Sequence, residues 1–350
     1  MSQSKHSSLR VGILGAGLMG RWHSEYALRA GARIVAVADP DIASASSLSD
    51  RVSAQAFSDL DGMLEKSRLD VLHICTPLAS HYSLAMRAIR AGVHVLVEKP
   101  LTESAEETRL LLGEAEKLGV SVCPVHQFGF QDGVLNAISR LADAGDVLQA
   151  RFTICSAGGD GQSDSSLDQI VADILPHPLS VMRVIWPGIS LVTEDWSVLH
   201  PRDGELHINA VAGAIGLTIY ISMHARPTRC ELDIFGSKER THINFFHGYA
   251  ASEKGAVSRT RKIFQPFRYA GKEFYAAATN IAGRGIRREP AYPGLPRLIR
   301  DFYTAIETGA EGPIAAEDIL AVANARDELI AAALPNVPGS MRSKDRVTHG

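Results

Sequence analysis

The first third of this 350-residue chain alternates short apolar runs with longer helical patterns, and that alternation limits its possible folds most sharply. LRVGILGAG is an apolar run entering a glycine turn, and RWHSEYALRAG behind it has helical spacing and stops at Gly31. ARIVAVAD, DVLHICTP, VHVLVEKP and VSVCPV read as further strands. Between them lie helices near 41–52, from about Ser80 to Ala91, and over SAEETRLLLGEAEKLG, where Ser104 and Glu107 form a capping box. Strands separated by helices imply a parallel sheet wrapped on both faces. Its buried strands then read as continuous apolar runs rather than strict alternations.

The turn at Gly15, Ala16, Gly17, Leu18, Met19 and Gly20 fits the spacing G-x-G-x-x-G. The spacing alone is weak, but here it leaves a strand and opens a helix. In that setting the first glycine permits the tight turn, the second lets a pyrophosphate approach the backbone, and the third lets helix and strand pack closely. The helix N-terminus adds free N–H groups and a positive dipole end. Asp39 ends the second strand, 19 residues beyond Gly20. A carboxylate there accepts hydrogen bonds from both hydroxyls of an adenosine ribose and repels a 2′-phosphate, which favours NAD over NADP. Asp39-Pro40 is also a good turn pair, a reading that needs no ligand.

From about Val125 the pattern changes. Segments near 192–199, 206–212, 216–223, 229–235 and 241–246 look like strands joined by short turns, an antiparallel arrangement. LDQIVADILPHPLSVMRVIWPG is helical but interrupted by Pro176 and Pro178, so a new helix is expected near Pro176 with Asp173 in the turn before it. LPRLIRDFYTAIETG and AAEDILAVANARDELIAAAL are amphipathic helices. The expected organisation is a leader over 1–8, a doubly wound α/β dinucleotide-binding domain over 9–124, an α+β domain with a large, mainly antiparallel open sheet over 125–335, and a tail over 336–350. A broad sheet with one face left for another molecule predicts a homodimer or homotetramer.

The composition, 45% hydrophobic and 21% charged with formal net charge −3, is that of an ordinary globular chain. Nothing in it points to nucleic acid or an anionic membrane, and no apolar run approaches the roughly 20 residues of a membrane span. The start lacks a signal-peptide core, which places the expected protein in the cytoplasm. Four scattered cysteines and histidines without ligand spacing predict no metal site.

The chain resembles the glucose–fructose oxidoreductase/inositol dehydrogenase (Gfo/Idh/MocA) family. The resemblance is carried by GAGLMG with His23, Asp39, CTP at 75–77 with His81, EKP at 98–100, and Asp173 with His177. It implies an N-terminal Rossmann domain and NAD(P)-dependent oxidation of a sugar, cyclitol or nucleotide-sugar alcohol. Cys75, Thr76 and Pro77 would line the cofactor groove, with His81 stabilising the turn there. Glu98 and Lys99 would stand at the nicotinamide side, Lys99 reaching the reacting hydroxyl. That role would explain a lysine where the apolar run VLV ends: a charged amine at the mouth of a core is costly without a task. His177 would accept the hydroxyl proton with Asp173 beside it, and His126 and Gln127, where relatives carry asparagine and arginine, would touch substrate. Two rival readings are a retained cofactor serving transient oxidation in a glycosidase or lyase, and a non-catalytic dinucleotide-binding regulator. Finally, eight basic residues against two acids between Arg259 and Glu289 are either a solvated surface or a phosphate site.

Overall fold

The computed structural model describes residues 8–159, 161, 164–193, 195–255, 259–334 and 337; the expected leader, up to residue 7, and nearly all of the expected tail lie outside them. The chain forms two compact units. The first runs up to Val125 and takes in Pro296–Leu320, and the second comprises His126–Leu295 and the residues from Ala321 onward.

In the first unit, β1 (Arg10–Leu14), α1 (Leu18–Arg29), β2 (Arg33–Ala38), α2 (Ile42–Val52), β3 (Gln55–Phe57), α3 (Leu60–Lys66), β4 (Val71–Ile74), α4 (His81–Arg90), β5 (His94–Val97), α5 (Ala105–Leu118) and β6 (Val122–Pro124) follow one another. All six strands are parallel, in the order β3-β2-β1-β4-β5-β6. This is the doubly wound order in which direction reverses between β1 and β4, so the carboxyl ends of those strands open a crevice. Every residue of β4 is buried, as the continuous apolar run required. Caps set the helix starts: Asp41 accepts from the Ala43 N–H, Asp59 from the Gly62 N–H, and Ser104 from the Glu107 N–H. The Glu107 carboxylate reaches back to the Glu103 N–H, one residue beyond its partner in a standard box.

The second unit contains α6 (Asp132–Ser139), β7 (Val147–Cys155), α7 (Asp164–Ile174), α8 (Pro176–Ile185), β8 (Ser197–Leu199), β9 (Glu205–Ala212), β10 (Ile215–Ser222), β11 (Arg229–Gly236), β12 (Glu239–Asn244), β13 (Tyr249–Lys254) and α9 (Arg259–Ile286). Its seven strands run β13-β12-β11-β7-β10-β9-β8, antiparallel throughout except for β7 with β10. One face packs Ala150, Phe152, Ile154, Leu232 and Ile219 into a core with Leu175, Leu179 and Met182. The opposite face of the central strands carries Gln149, Arg151, Thr153, Thr218, Asp233 and Glu231 together with Tyr220 and Phe235, a surface of mixed polarity. α8 begins at Pro176 as the missing proline N–H dictates, but Asp173 lies in the last turn of α7 rather than in a loop.

The chain ends with α10 (Leu295–Thr308) and α11 (Ala316–Ala333). The linear division at residue 124 did not anticipate that 296–320 returns to the first unit. The physical reason is visible there: Ile319 joins the apolar cluster beneath the sheet, and the buried Tyr303 hydroxyl lies 2.7 Å from Nε2 of the buried His73 on β4. Burial, reinforced by the charge of His23, holds the His73 imidazole well below its ordinary 6.5. The depressed value means the folded state keeps His73 neutral, so its contribution is complete above pH 6.5 and is lost as pH falls. Urea unfolding is therefore expected to show stability declining below that pH by up to about 1.4 kcal/mol per unit from this group. His73→Gln flattens that decline although half-buried His94, also depressed, keeps its share. An unchanged slope in His73→Gln contradicts the assignment.

Candidate active site

Three strand ends meet at the glycine turn. Gly15 has φ of 97°, and a Cβ there would stand 2.6 Å from the Cys75 carbonyl oxygen at the end of β4. A Cβ on Gly20 would stand 1.8 Å from the Gly15 carbonyl oxygen, so α1 can lie against the turn only with glycine at that position. Gly17 is different: nothing lies within 4 Å of a Cβ built on it. Its bareness opens space above the turn instead of relieving a contact inside the protein. Gly17 is also the N-cap of α1 and supplies no side-chain acceptor, which leaves the first N–H groups of the helix to an anion. Asp39, at the end of β2, accepts from the Ala16 N–H at 2.8 Å and the Asp41 N–H at 2.9 Å. A carboxylate has about four lone-pair directions, so this bracing leaves acceptor capacity for ribose hydroxyls. The turn reading and the ribose reading of Asp39 are thus compatible. The open Gly17, the uncapped helix and the braced Asp39 fit a dinucleotide.

At the end of β5, Glu98 is held by a buried relay that the sequence reading missed. Its Oε1 lies 3.0 Å from Nε2 of His23 on α1. His23 Nδ1 lies 3.0 Å from Nδ1 of His73, whose Nε2 meets the Tyr303 hydroxyl. Donors and acceptors alternate without conflict in either charge state of His23. With His23 neutral, protons point from Tyr303 through His73 and His23 to Glu98. With His23 a cation, they point outward from it in both directions. Burial by itself raises the Glu98 carboxyl, but the His23 hydrogen bond and the charges of His23 and Lys99 outweigh it and leave a net value below 4.5. An ionised carboxylate therefore sits beside half-buried Lys99, whose backbone N–H it also accepts at 3.2 Å. The signal for the relay was in the sequence: His73 interrupts the apolar run DVLHI, and a histidine inside a buried strand needs partners.

The other candidates of this unit surround the same strand ends. His81 presents its two ring nitrogens at 2.8 Å to the carbonyl oxygens of Pro100 and Thr76, tying the segments after β4 and β5 together. Thr76 Oγ1 accepts from Ser80 Oγ. Pro77 is exposed beside it, as is Leu18, and Met19 is half-buried on the first turn of α1. Burial, with the nearby Glu98 charge, pushes the Cys75 thiol well above its ordinary range, so it is not an activated nucleophile.

In the second unit, His177 on the first turn of α8 is half-buried and stacks on Phe128, ring centroids 4.1 Å apart and planes 13° from parallel. Phe128 stacks in turn on Phe245 at 5.0 Å, which fixes the imidazole plane from below. Asp173 accepts from Gln169 Nε2 at 3.0 Å. His126 and Gln127 are buried at the start of this unit, and the Gln127 amide oxygen has no hydrogen-bond partner among the described residues. Its backbone carbonyl would lie 2.1 Å from a Cβ on Gly294, a contact only glycine allows. Of the basic segment, Arg268, Lys272 and Arg287 line a cavity of about 690 Å³ bounded by α6, β13 and α9. Arg287 is committed to Asp132 and Glu289, Lys272 to the Ser252 carbonyl and Arg284 to the carbonyls of His247, Glu289 and Pro290. The side chains of Arg259, Arg261 and Lys262 lie outside the described residues. Among those described, Asp168, His200 and Asp203 are close enough to share a cation, but Asp168 already holds the Gly204 N–H and His200, the pattern of a loop staple.

Residues 9–126 match the family described as an oxidoreductase family with an NAD-binding Rossmann fold, GFO_IDH_MocA. The chain is 34% identical over 179 residues to inositol 2-dehydrogenase of Leifsonia xyli subsp. xyli, covering 50% of this chain and 52% of that one. It is 34% identical over 110 residues to UDP-N-acetylglucosamine 3-dehydrogenase of Acidithiobacillus ferrooxidans, covering 31% and 34%. The chain thus spans between about a third and about half the length of these curated relatives. The solved structure of the latter enzyme superposes with a TM-score of 0.71 at 19% identity, covering 93% of this chain and 98% of that one, a likeness of fold. The strand order, the glycine turn and the match over 9–126 together show that the first unit is similar to the NAD-binding Rossmann fold of the Gfo/Idh/MocA oxidoreductase family.

Proposed function

We propose that the protein is an NAD-dependent oxidoreductase acting on a secondary alcohol of a sugar, cyclitol or nucleotide sugar. The observation that carries the reading is the conjunction, at the carboxyl ends of one parallel sheet, of the open Gly17 turn, the braced Asp39 and the Glu98–Lys99 pair. The names of the relatives, acting on inositol and on UDP-N-acetylglucosamine, support the substrate class. Cytoplasmic residence accords with free, inert thiols, burial lifting Cys230 to about 12.

In this reading Gly15, Ala16, Gly17, Leu18 and Met19 hold the dinucleotide pyrophosphate, and Asp39 holds the adenosine ribose. Asp39 favours NAD because two ionised groups, its own carboxylate and a 2′-phosphate, would otherwise meet. Bound NAD supplies the hydride acceptor. The Lys99 ammonium donates to the substrate oxygen as negative charge develops there, and Glu98 keeps the amine oriented. His177 takes the hydroxyl proton, its ring plane set by Phe128, with Asp173 positioned one helical turn earlier in sequence. His126 and Gln127 serve as substrate contacts, the unpartnered Gln127 oxygen accepting a hydroxyl.

Steady-state kinetics on a polyol and nucleotide-sugar panel test these roles. Lys99→Ala and His177→Ala are each expected to lower kcat by about 100-fold or more with dinucleotide affinity unchanged. Hydride transfer undiminished in Lys99→Ala removes the assignment. Asp39→Ala is expected to weaken NAD and improve NADP, narrowing their kcat/KM ratio by roughly tenfold; a ratio left untouched restores the turn-only reading. At the relay, Tyr303→Phe deletes one buried hydroxyl and is expected to lower stability by about 1 kcal/mol in urea unfolding. No loss at all contradicts the relay.

A further inference from the structure

α9 is amphipathic the wrong way round. Its polar side chains face the body of the second unit. Gln265 donates to Glu253, Lys272 to the Ser252 carbonyl, Asn280 and Arg284 to the His247 carbonyl, and Tyr249 donates to Glu273. Its large apolar side chains face away: Phe267 and Phe274 are each 76% exposed, and Ile263, Phe264, Tyr275, Ile281 and Ile286 are exposed with them. At roughly 100–150 Å² apiece these seven amount to on the order of 900 Å². That exceeds the largest patch of a typical monomer, about 300–600 Å², and approaches the ~800 Å² each partner contributes to a standard interface.

The pattern within the exposed face identifies the occupant. Phe264, Phe267, Gly271, Phe274, Ala278, Ile281 and Gly285 follow a strict three-four spacing, the seam of a helix pair, and all seven are exposed. Large and small residues alternate along most of it. Nothing lies within 4 Å of a Cβ built on Gly271 or Gly285, so neither glycine is required by packing inside the chain. Each nevertheless costs about 1 kcal/mol relative to alanine in a helix. Both fall into place against an antiparallel copy of the same helix related by a two-fold axis beside Ala276. Phe267 then faces Gly285 of the copy, Phe274 faces Ala278, and Ile281 faces Gly271, a large residue against a small one at every step. Such self-complementarity is what an isologous interface demands. We propose that α9 is a homodimerisation helix, pairing antiparallel with α9 of a second copy. This inference does not rest on the catalytic reading.

Sedimentation of the full chain, with and without NADH, tests it. The wild type is expected to be dimeric at micromolar concentration, or a tetramer that dissociates through this contact. Phe274→Ala and Ala278→Phe are each expected to weaken the association by roughly tenfold or more, one by a void and the other by a clash. The double variant is expected to recover most of the loss, because it exchanges large and small across the axis. Phe267→Glu with Phe274→Glu is expected to abolish the contact while retaining the wild-type circular dichroism. A monomeric wild type, an association that ignores all four variants, or singles whose defects simply add in the double would overturn the proposal. Flotation of a monomeric wild type with phosphatidylserine vesicles, lost in the glutamate variant, would assign the same face to a membrane surface and overturn it equally.

Discussion

The first unit depends on one close approach of backbone to backbone. The carbonyl of Gly15 occupies space a Cβ on Gly20 would need, and the carbonyl of Cys75 occupies space a Cβ on Gly15 would need. These two contacts draw the start of α1 and the ends of β1 and β4 to one point. Asp39 adds the end of β2 through the Ala16 N–H, and His23, three residues into the helix from Gly20, adds the end of β5 through Glu98. Four strand ends are thereby referenced to a single turn. The glycine turn proposed to hold a pyrophosphate and Glu98, next to the proposed donor Lys99, are tied to one point although about 80 residues separate them.

Much of this was legible because a parallel sheet leaves a strong record. Continuous apolar runs, caps such as Ser104 and the glycine spacing each follow from local chemistry, and together they allow few topologies. The relay behind Glu98 was only half legible. His73 announces itself as a histidine in a buried strand, but Tyr303 lies 230 residues away on a helix the linear reading gave to the other domain. Periodicity showed that α10 is a helix; it carries no information about which core the helix rejoins. In the second unit, β7 and β13 are not among the strands expected from the sequence, although β7 carries the alternation of a strand with one buried face; β13 is a short edge. In α9 the basic residues dominate the charge and overlie a heptad spacing of apolar residues.

The basic segment also shows why composition is a poor guide to a site. Arg284 and Lys272 are spent on carbonyl groups, and Arg287 on two carboxylates, so these cations are fasteners of a helix whose apolar face points outward. The outer face of the seven-stranded sheet is mixed in polarity, and α9 presents a second, apolar outer face beside the sheet expected to supply the oligomer surface. Either surface leaves the redox assignment untouched, because the residues proposed for chemistry, Lys99 and His177, belong to neither.

The most direct test of the central claim is isotopic. The protein is incubated with NAD and with inositol, free sugars and nucleotide sugars deuterated at their carbinol carbons, and the recovered nicotinamide is weighed by mass spectrometry. The proposed hydride transfer puts deuterium in the reduced nicotinamide with at least one member of the panel, at a rate lower by about 100-fold or more when Lys99 is replaced by alanine. Tight NAD binding with no label transferred from any member would contradict it.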